Sequence, residues 1–295
     1  MLGPTAGGHG NTPAVLRALL PLALVVAIAA TFAGAADGKP KVTSETAALD
    51  GVRATVSYVD LRGGDFGVYY VRLVVEHDGT RVYDSRVQPY WRSDQHTLQS
   101  AFGSVVTVRD LDGDGQPEIL LDFWTEGAHC CSWTRIYRWR PAAATYTNVS
   151  HLWGDPGYRI ADPNRDGHTE LVTADDRFAY EFASYAGSSL PVRVWRFRGG
   201  GLVDVTSAYP KLIASDARVN WNGYLQQAKE GETRGVLAAW AADECRLGRC
   251  DAAFRWLRTH RSAWTGPAHF GASWSRVPYL THLRRFLTRA GYIKP

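Results

Sequence analysis

Asp110-Leu111-Asp112-Gly113-Asp114-Gly115-Gln116-Pro117-Glu118 is the stretch that decides how this 295-residue chain is read. A second run, Asp162-Pro163-Asn164-Arg165-Asp166-Gly167-His168-Thr169-Glu170, repeats its pattern. Each run sets short oxygen-bearing side chains at alternate positions, with glycine sixth, where a sharp turn brings a later carbonyl to the same side. The first run carries Asp110, Asp112, Asp114 and Glu118; the second carries Asp162, Asp166 and Glu170, with Asn164 as a neutral member. Carboxylates this crowded repel one another unless a cation neutralises them. The spacing therefore predicts two Ca2+ sites, the first tighter by ligand charge.

An EF-hand would need a bidentate acid at the twelfth loop position and a helix on each side. Those positions hold Leu121 and Thr173. The flanks, Ser104-Val105-Val106-Thr107-Val108, Ile119-Leu120-Leu121 and Leu171-Val172-Thr173, are short β-branched and apolar runs that read as strands. Each acidic run is thus a turn between strands. Asp-x-Asp-Gly-Asp-Gly-x-x-Glu entering an apolar strand resembles the FG-GAP/VCBS repeats of secreted bacterial proteins and of integrin α-subunit propellers, over residues 104–206. The resemblance implies a calcium loop within a β-propeller blade. It implies Asp110, Asp112, Asp114 and Glu118 as side-chain ligands of one ion, with the carbonyl of Gln116. It implies Asp162, Asn164, Asp166 and Glu170, with the carbonyl of His168, as ligands of the other. It also implies a binding module rather than an enzyme.

The repetition extends past the loops. Arg135-Ile136-Tyr137-Arg138-Trp139-Arg140 matches Arg193-Val194-Trp195-Arg196-Phe197-Arg198 in type, giving a period of fifty-odd residues that suits a four-stranded blade. These strands read as arginine stems stacked on aromatic rings within a sheet. A ligand-facing basic strip is the alternative. Tyr69 to Asp84 reads as a hairpin turning at Asp78-Gly79, part of a degenerate earlier unit. Asp60 and Asp65 lie before it without ligand spacing. Two clear units and a partial one cannot close a propeller of four or more blades, which leaves an incomplete propeller or a homo-oligomer. The expected fold is therefore mainly β with α: propeller-like repeat sheets over 51–209 and a helical subdomain over 210–295. In the latter, Trp221, Tyr224, Val236, Leu237 and Trp240 recur at helical spacing. Asp251 is expected to cap one helix and Pro278 to open the last. Arg284, Arg285 and Arg289 read as solvated helix surface.

Residues 1–35 carry Arg17, an apolar run from Ala18 to Ala30, and Ala33-Gly34-Ala35, the pattern of a secretory signal peptide. Membrane attachment follows only if that segment stays uncleaved. The expected location is secreted or at the cell envelope. The net charge of +4 without a concentrated basic run excludes a nucleic-acid partner. Four cysteines in an exported chain suggest disulfides. Cys245 and Cys250 would staple a helix–helix turn, while Cys130 and Cys131 could pair with each other, pair with the other two, or stay thiols. The expected function is non-enzymatic: a calcium-binding module for a protein or glycan ligand. The alternative is an exported hydrolase using the acidic loops or the His129/Cys130/Cys131 cluster. Against it, no Gly-x-Ser-x-Gly or His-Glu-x-x-His motif occurs.

Overall fold

Alternation builds the first sheet. Val52, Ala54 and Val56 on β2 (Val52–Asp60) and Val71, Leu73 and Val75 on β3 (Val68–His77) are buried on one face. Arg53 and Arg72 stand exposed on the other. The computed structural model describes residues 41–60, 68–88, 97–98, 104–127, 129–228, 232–265 and 278–293. The segment 1–35 and Asp65 lie outside them. β1 (Lys41–Leu49), β2, β3 and β4 (Thr80–Arg86) run as an antiparallel meander. β1 thus extends the sheet region ahead of residue 51. The expected Asp-Gly hairpin joins β3 to β4, with left-handed φ of 47° at Asp78 and 79° at Gly79.

The second sheet contains β5 (Thr97–Leu98), β6 (Val106–Arg109), β7 (Glu118–Gly127), β8 (Cys130–Arg140) and β9 (Thr145–Gly154). Both β5 and β6 pair with β7. The third contains β10 (Arg159–Ala161), β11 (Glu170–Ala174), β12 (Val192–Arg198) and β13 (Gly201–Asp204) in order. Four helices follow: α1 (Pro210–Gln227), α2 (Arg234–Arg246), α3 (Cys250–Thr259) and α4 (Tyr279–Arg289).

The sheets are layered. On β7, Ile119, Leu121 and Phe123 share a core with the first sheet, while Leu120 points the other way, with Ile136, into a core with Leu171 and Phe197 of the third. The middle sheet is therefore apolar on both faces, and each fully buried side chain there contributes about 1.5–3 kcal/mol. The outer face of the third sheet, Val172, Val192 and Val194, packs on Tyr209 and on Ile213 of α1. The remaining helices form their own core around Leu237, Phe254, Leu283 and Leu287, joined by Phe178 and Phe182 from the segment after β11.

This layering corrects the expected β-propeller and its FG-GAP/VCBS resemblance. The described strands form three separate antiparallel sheets, and no ring closes. The physical reason lies at the two ends of the stack. A helix covers the third sheet where a further sheet would be needed, and the first sheet ends the stack with the face that carries Arg53 and Arg72. The repeat itself is real in a simpler form. The acidic runs join equivalent strand pairs, β6 to β7 and β10 to β11, and the arginine strands are β8 and β12.

The helical region follows its sequence cues with one difference. Pro278 is the N-cap of α4, and left-handed Gly248 (φ 77°) and Gly291 (φ 81°) follow α2 and α4. Arg249 rather than Asp251 occupies the N-cap position of α3, without a side-chain cap hydrogen bond; Asp251 sits in the first turn, where its charge complements the helix N-terminus. Cys245 and Cys250 form the expected disulfide across the α2–α3 turn. Arg284 is exposed but lies over the Phe254 ring at 4.5 Å, so it packs as well as faces solvent.

Candidate metal centre: two acidic hairpin loops

The first loop is shaped by its own carboxylates. Asp110 accepts the Gly113 N–H at Oδ1 (2.8 Å) and the Gly115 N–H at Oδ2 (3.0 Å). Asp114 accepts the Gln116 N–H at 2.8 Å, and Glu118 accepts the Leu111 N–H at Oε2 (3.0 Å). These bonds fold the chain back on itself, which needs left-handed φ at Gly113 (76°) and Gly115 (78°). The second loop copies the scheme. Asp162 accepts from the Asp166 and Gly167 N–H groups at 3.0 and 2.9 Å, and Asp166 accepts from the His168 N–H at 3.0 Å. Its counterpart of Gly113 is Arg165, also left-handed at φ 60°.

Carboxylate oxygens of Asp110, Asp112 and Asp114 lie within 4.8 Å of one another, and so do those of Asp162, Asp166 and Glu170. Oxygens on opposite sides of a Ca2+ ion stand about 5 Å apart, twice the usual ligand distance, so both groups have the right span. Asn164 currently donates its amide to Asp166 Oδ2 at 2.8 Å. Gln116 and His168 lie in the loops, as their expected carbonyl role requires.

The glutamates sharpen the case. Glu118 and Glu170 are both 0% exposed. Glu118 Oε1, Glu170 Oε2 and Asp112 Oδ1 are buried without a hydrogen-bond partner. An unpaired buried carboxylate oxygen is costly, so such atoms call for a cation or a proton. Burial, then the nearby Asp112 and Asp114, outweigh the Leu111 N–H bond and push Glu118 up to about 8. Burial and the Asp114 charge also raise Asp112. Asp114 goes the other way: burial raises it, but the bonds from Arg138 and the Gln116 N–H hold it below the usual carboxylate range. Asp166 is lowered by the His168 N–H and the Asn164 amide.

Arg138 and Arg196, at matching positions of β8 and β12, reach into these loops. This role was missed in the sequence, though the matched arginines were visible. Arg138 bonds Asp114 at 2.8 Å, with Asp112 at 3.7 Å and Glu118 at 3.9 Å. Arg196 holds Glu170 with both Nε (2.8 Å) and Nη2, approaches Asp166 at 3.5 Å, and bonds the Tyr209 hydroxyl at 2.9 Å. The expected arginine-on-aromatic stacking is present at the first arginine of each stretch, Arg135 over Trp133 (5.3 Å) and Arg193 over Trp195 (4.5 Å).

Of the other expected site residues, Cys245 and Cys250 are paired as described above, and the Cys130 side chain lies outside the described residues. Cys131 is disulfide-bonded and so offers no thiolate. His129 stacks on Tyr185 at 3.9 Å. Two further acids, the half-buried Asp122 of β7 and the fully buried Asp243 of α2, carried no sequence signal. Asp122 accepts from Thr134 (2.5 Å) and Tyr158 (3.1 Å), and burial pushes it up to about 6. Asp243, between α1 and α2, is raised to about 9 by burial and then by Asp216.

Residues 213–291, from α1 through α4, match the family described as the sll0997 C-terminal domain. The chain is 27% identical over 208 residues to a protein of Synechocystis sp. called probable thylakoid lumen protein sll0997, covering 65% of this chain and 61% of that one. It is 31% identical over 142 residues to the uncharacterized protein y4bJ of Sinorhizobium fredii, covering 47% of this chain and 22% of that one. The chain thus spans less than two thirds of either relative. No solved structure matches it significantly. The matched family is not FG-GAP/VCBS, which completes the correction of that resemblance. Among the described residues no helix is long and apolar enough to cross a membrane.

Proposed function

We propose that this chain is an extracytoplasmic protein whose two acidic hairpin loops bind Ca2+, and that it serves as a non-enzymatic binding or assembly module for a protein or glycan ligand. The observation that carries this reading is a converging carboxylate set in each loop beside a fully buried glutamate with an unpartnered oxygen. A divalent ion satisfies those oxygens, relieves the repulsion and locks each turn, so metal binding adds to folding free energy. The lumenal name of one relative supports a location outside the cytoplasm. The paired Cys245 and Cys250 support it too.

The test is a melting curve with and without chelator. A site filled at ten times its dissociation constant stabilises by about 1.4 kcal/mol, worth roughly 2–4 °C per kcal/mol in a chain of this size. Chelation should lower Tm by several degrees. The double variant Asp112→Ala with Asp166→Ala should lose the calcium response altogether. A wild-type curve indifferent to calcium would remove the reading.

A further inference from the structure

The two arginines that enter the loops are not placed alike. Arg138 makes its hydrogen bond to Asp114, which is 35% exposed, and stays 3.9 Å from the buried Glu118. Its Nε and Glu118 Oε1 are both buried and both without a hydrogen-bond partner. Each loop thus keeps one unanswered buried glutamate oxygen, Glu118 Oε1 in the first and Glu170 Oε2 in the second, but only in the second is the other oxygen held by a guanidinium. Arg196 instead grips Glu170 through two nitrogens and is itself held by Tyr209, the N-cap residue of α1. One Glu170 oxygen is thereby committed to a guanidinium, and Asn164 turns its donor toward Asp166.

A divalent ion and a guanidinium cannot share the same carboxylates without strong repulsion between them. On the calcium reading proposed above, on which this step rests, we infer that Arg196 is a resident counter-cation that competes with calcium for the second loop. Arg138 competes only weakly in the first. The loops then fill in order. The first binds calcium with all three aspartates and a free Glu118 oxygen. The second binds fully only once Arg196 lets go of Glu170, and that release also breaks the Arg196–Tyr209 bond at the foot of α1, where Tyr209 bonds Glu170 as well. Calcium at the second loop is thereby tied to the joint between the third sheet and the helices, whereas calcium at the first loop is not.

Calorimetric titration of the full chain with CaCl2, up to the millimolar range where weak oxygen sites still fill, reads this directly. Wild type should show two binding steps whose constants differ at least tenfold, and Asp112→Ala should delete the tighter one. Arg196→Gln should tighten the weaker step at least tenfold and leave the tighter step in place. Tyr209→Phe keeps the arginine but removes its anchor, and should tighten the same step several-fold; it also covers the case in which Arg196→Gln folds poorly. Two calcium steps that neither variant moves, or a weaker step that Arg196→Gln weakens further, would overturn the competition and leave the calcium reading standing. No calcium heat in wild type or in any variant would overturn both. Heat appearing only in Arg196→Gln would support the competition at the second loop and refute calcium occupancy of either loop in the native chain, and with it the order of filling.

Discussion

The loops β6–β7 and β10–β11 are written with one template and solved by two electrostatic schemes. In the first, three aspartates crowd together and the buried Glu118 has only a backbone N–H on its bonded oxygen, with Arg138 no nearer than 3.9 Å. In the second, one aspartate is replaced by Asn164 and Glu170 is neutralised from within by Arg196. Identical spacing therefore does not fix identical chemistry. What differs is whether the charge that balances the buried glutamate belongs to the protein or must come from outside.

The largest effect that should separate the two is the loss of that internal charge. In chelator, Arg196→Gln strands Glu170, which is 0% exposed, and removing one member of a buried ion pair costs about 3–5 kcal/mol. Arg138→Gln should cost under about 1 kcal/mol, because its close partner Asp114 is partly exposed. Urea unfolding of both variants in chelator measures the difference. Equal losses would erase the asymmetry between the loops.

The strands that leave the loops differ as well, and pH can report it. Four residues after its glutamate, β7 carries the half-buried Asp122, where β11 carries Ala174. Asp122 has its folded pKa raised from 3.8 to about 6, chiefly by burial. A carboxyl raised in the folded state binds its proton more tightly there than in the unfolded chain. Its contribution is full below about pH 4 and is lost as the pH rises through 6, a change of about 2–3 kcal/mol at 1.36 kcal/mol per pKa unit. Asp122→Asn should flatten the wild-type stability profile between pH 4 and 6, measured as the difference between the two proteins. A variant profile parallel to wild type would place that slope elsewhere.

How much of this could be read beforehand follows from what each feature depends on. The strand–loop–strand units were legible because alternation and glycine position are local, and so were the hairpin at Asp78-Gly79 and the α2–α3 staple at Cys245 and Cys250. The stacking was not. Whether three similar sheets close into a ring or end against a helix depends on what covers Val172, Val192 and Val194, and here Tyr209 and Ile213 cover them from beyond the repeats. The same limit hid the counter-ions. Arg138 and Arg196 stood in matching strands, but only the register of β7 with β8 and of β11 with β12 aims them at the loops rather than at the neighbouring rings. Asp122 and Asp243 gave no sign, since a lone acid in an apolar strand or helix has no spacing to betray it.

The smallest contrast concerns backbone alone. Gly113 and Arg165 occupy the same loop position with φ of 76° and 60°. A Cβ at Gly113 would meet no atom within 4 Å, so Gly113→Ala introduces only the left-handed backbone cost, about 1 kcal/mol. Arg165 already bears that cost, and it is exposed; Arg165→Ala keeps a Cβ in the same conformation and should change stability by less than about 0.5 kcal/mol. Melting in chelator should therefore show Gly113→Ala lower than wild type by roughly 2–4 °C and Arg165→Ala nearly unmoved. If both fall together, the first loop owes no more to its glycine than the second does to its arginine. Any difference between the loops would then have to come from their carboxylates and arginines alone.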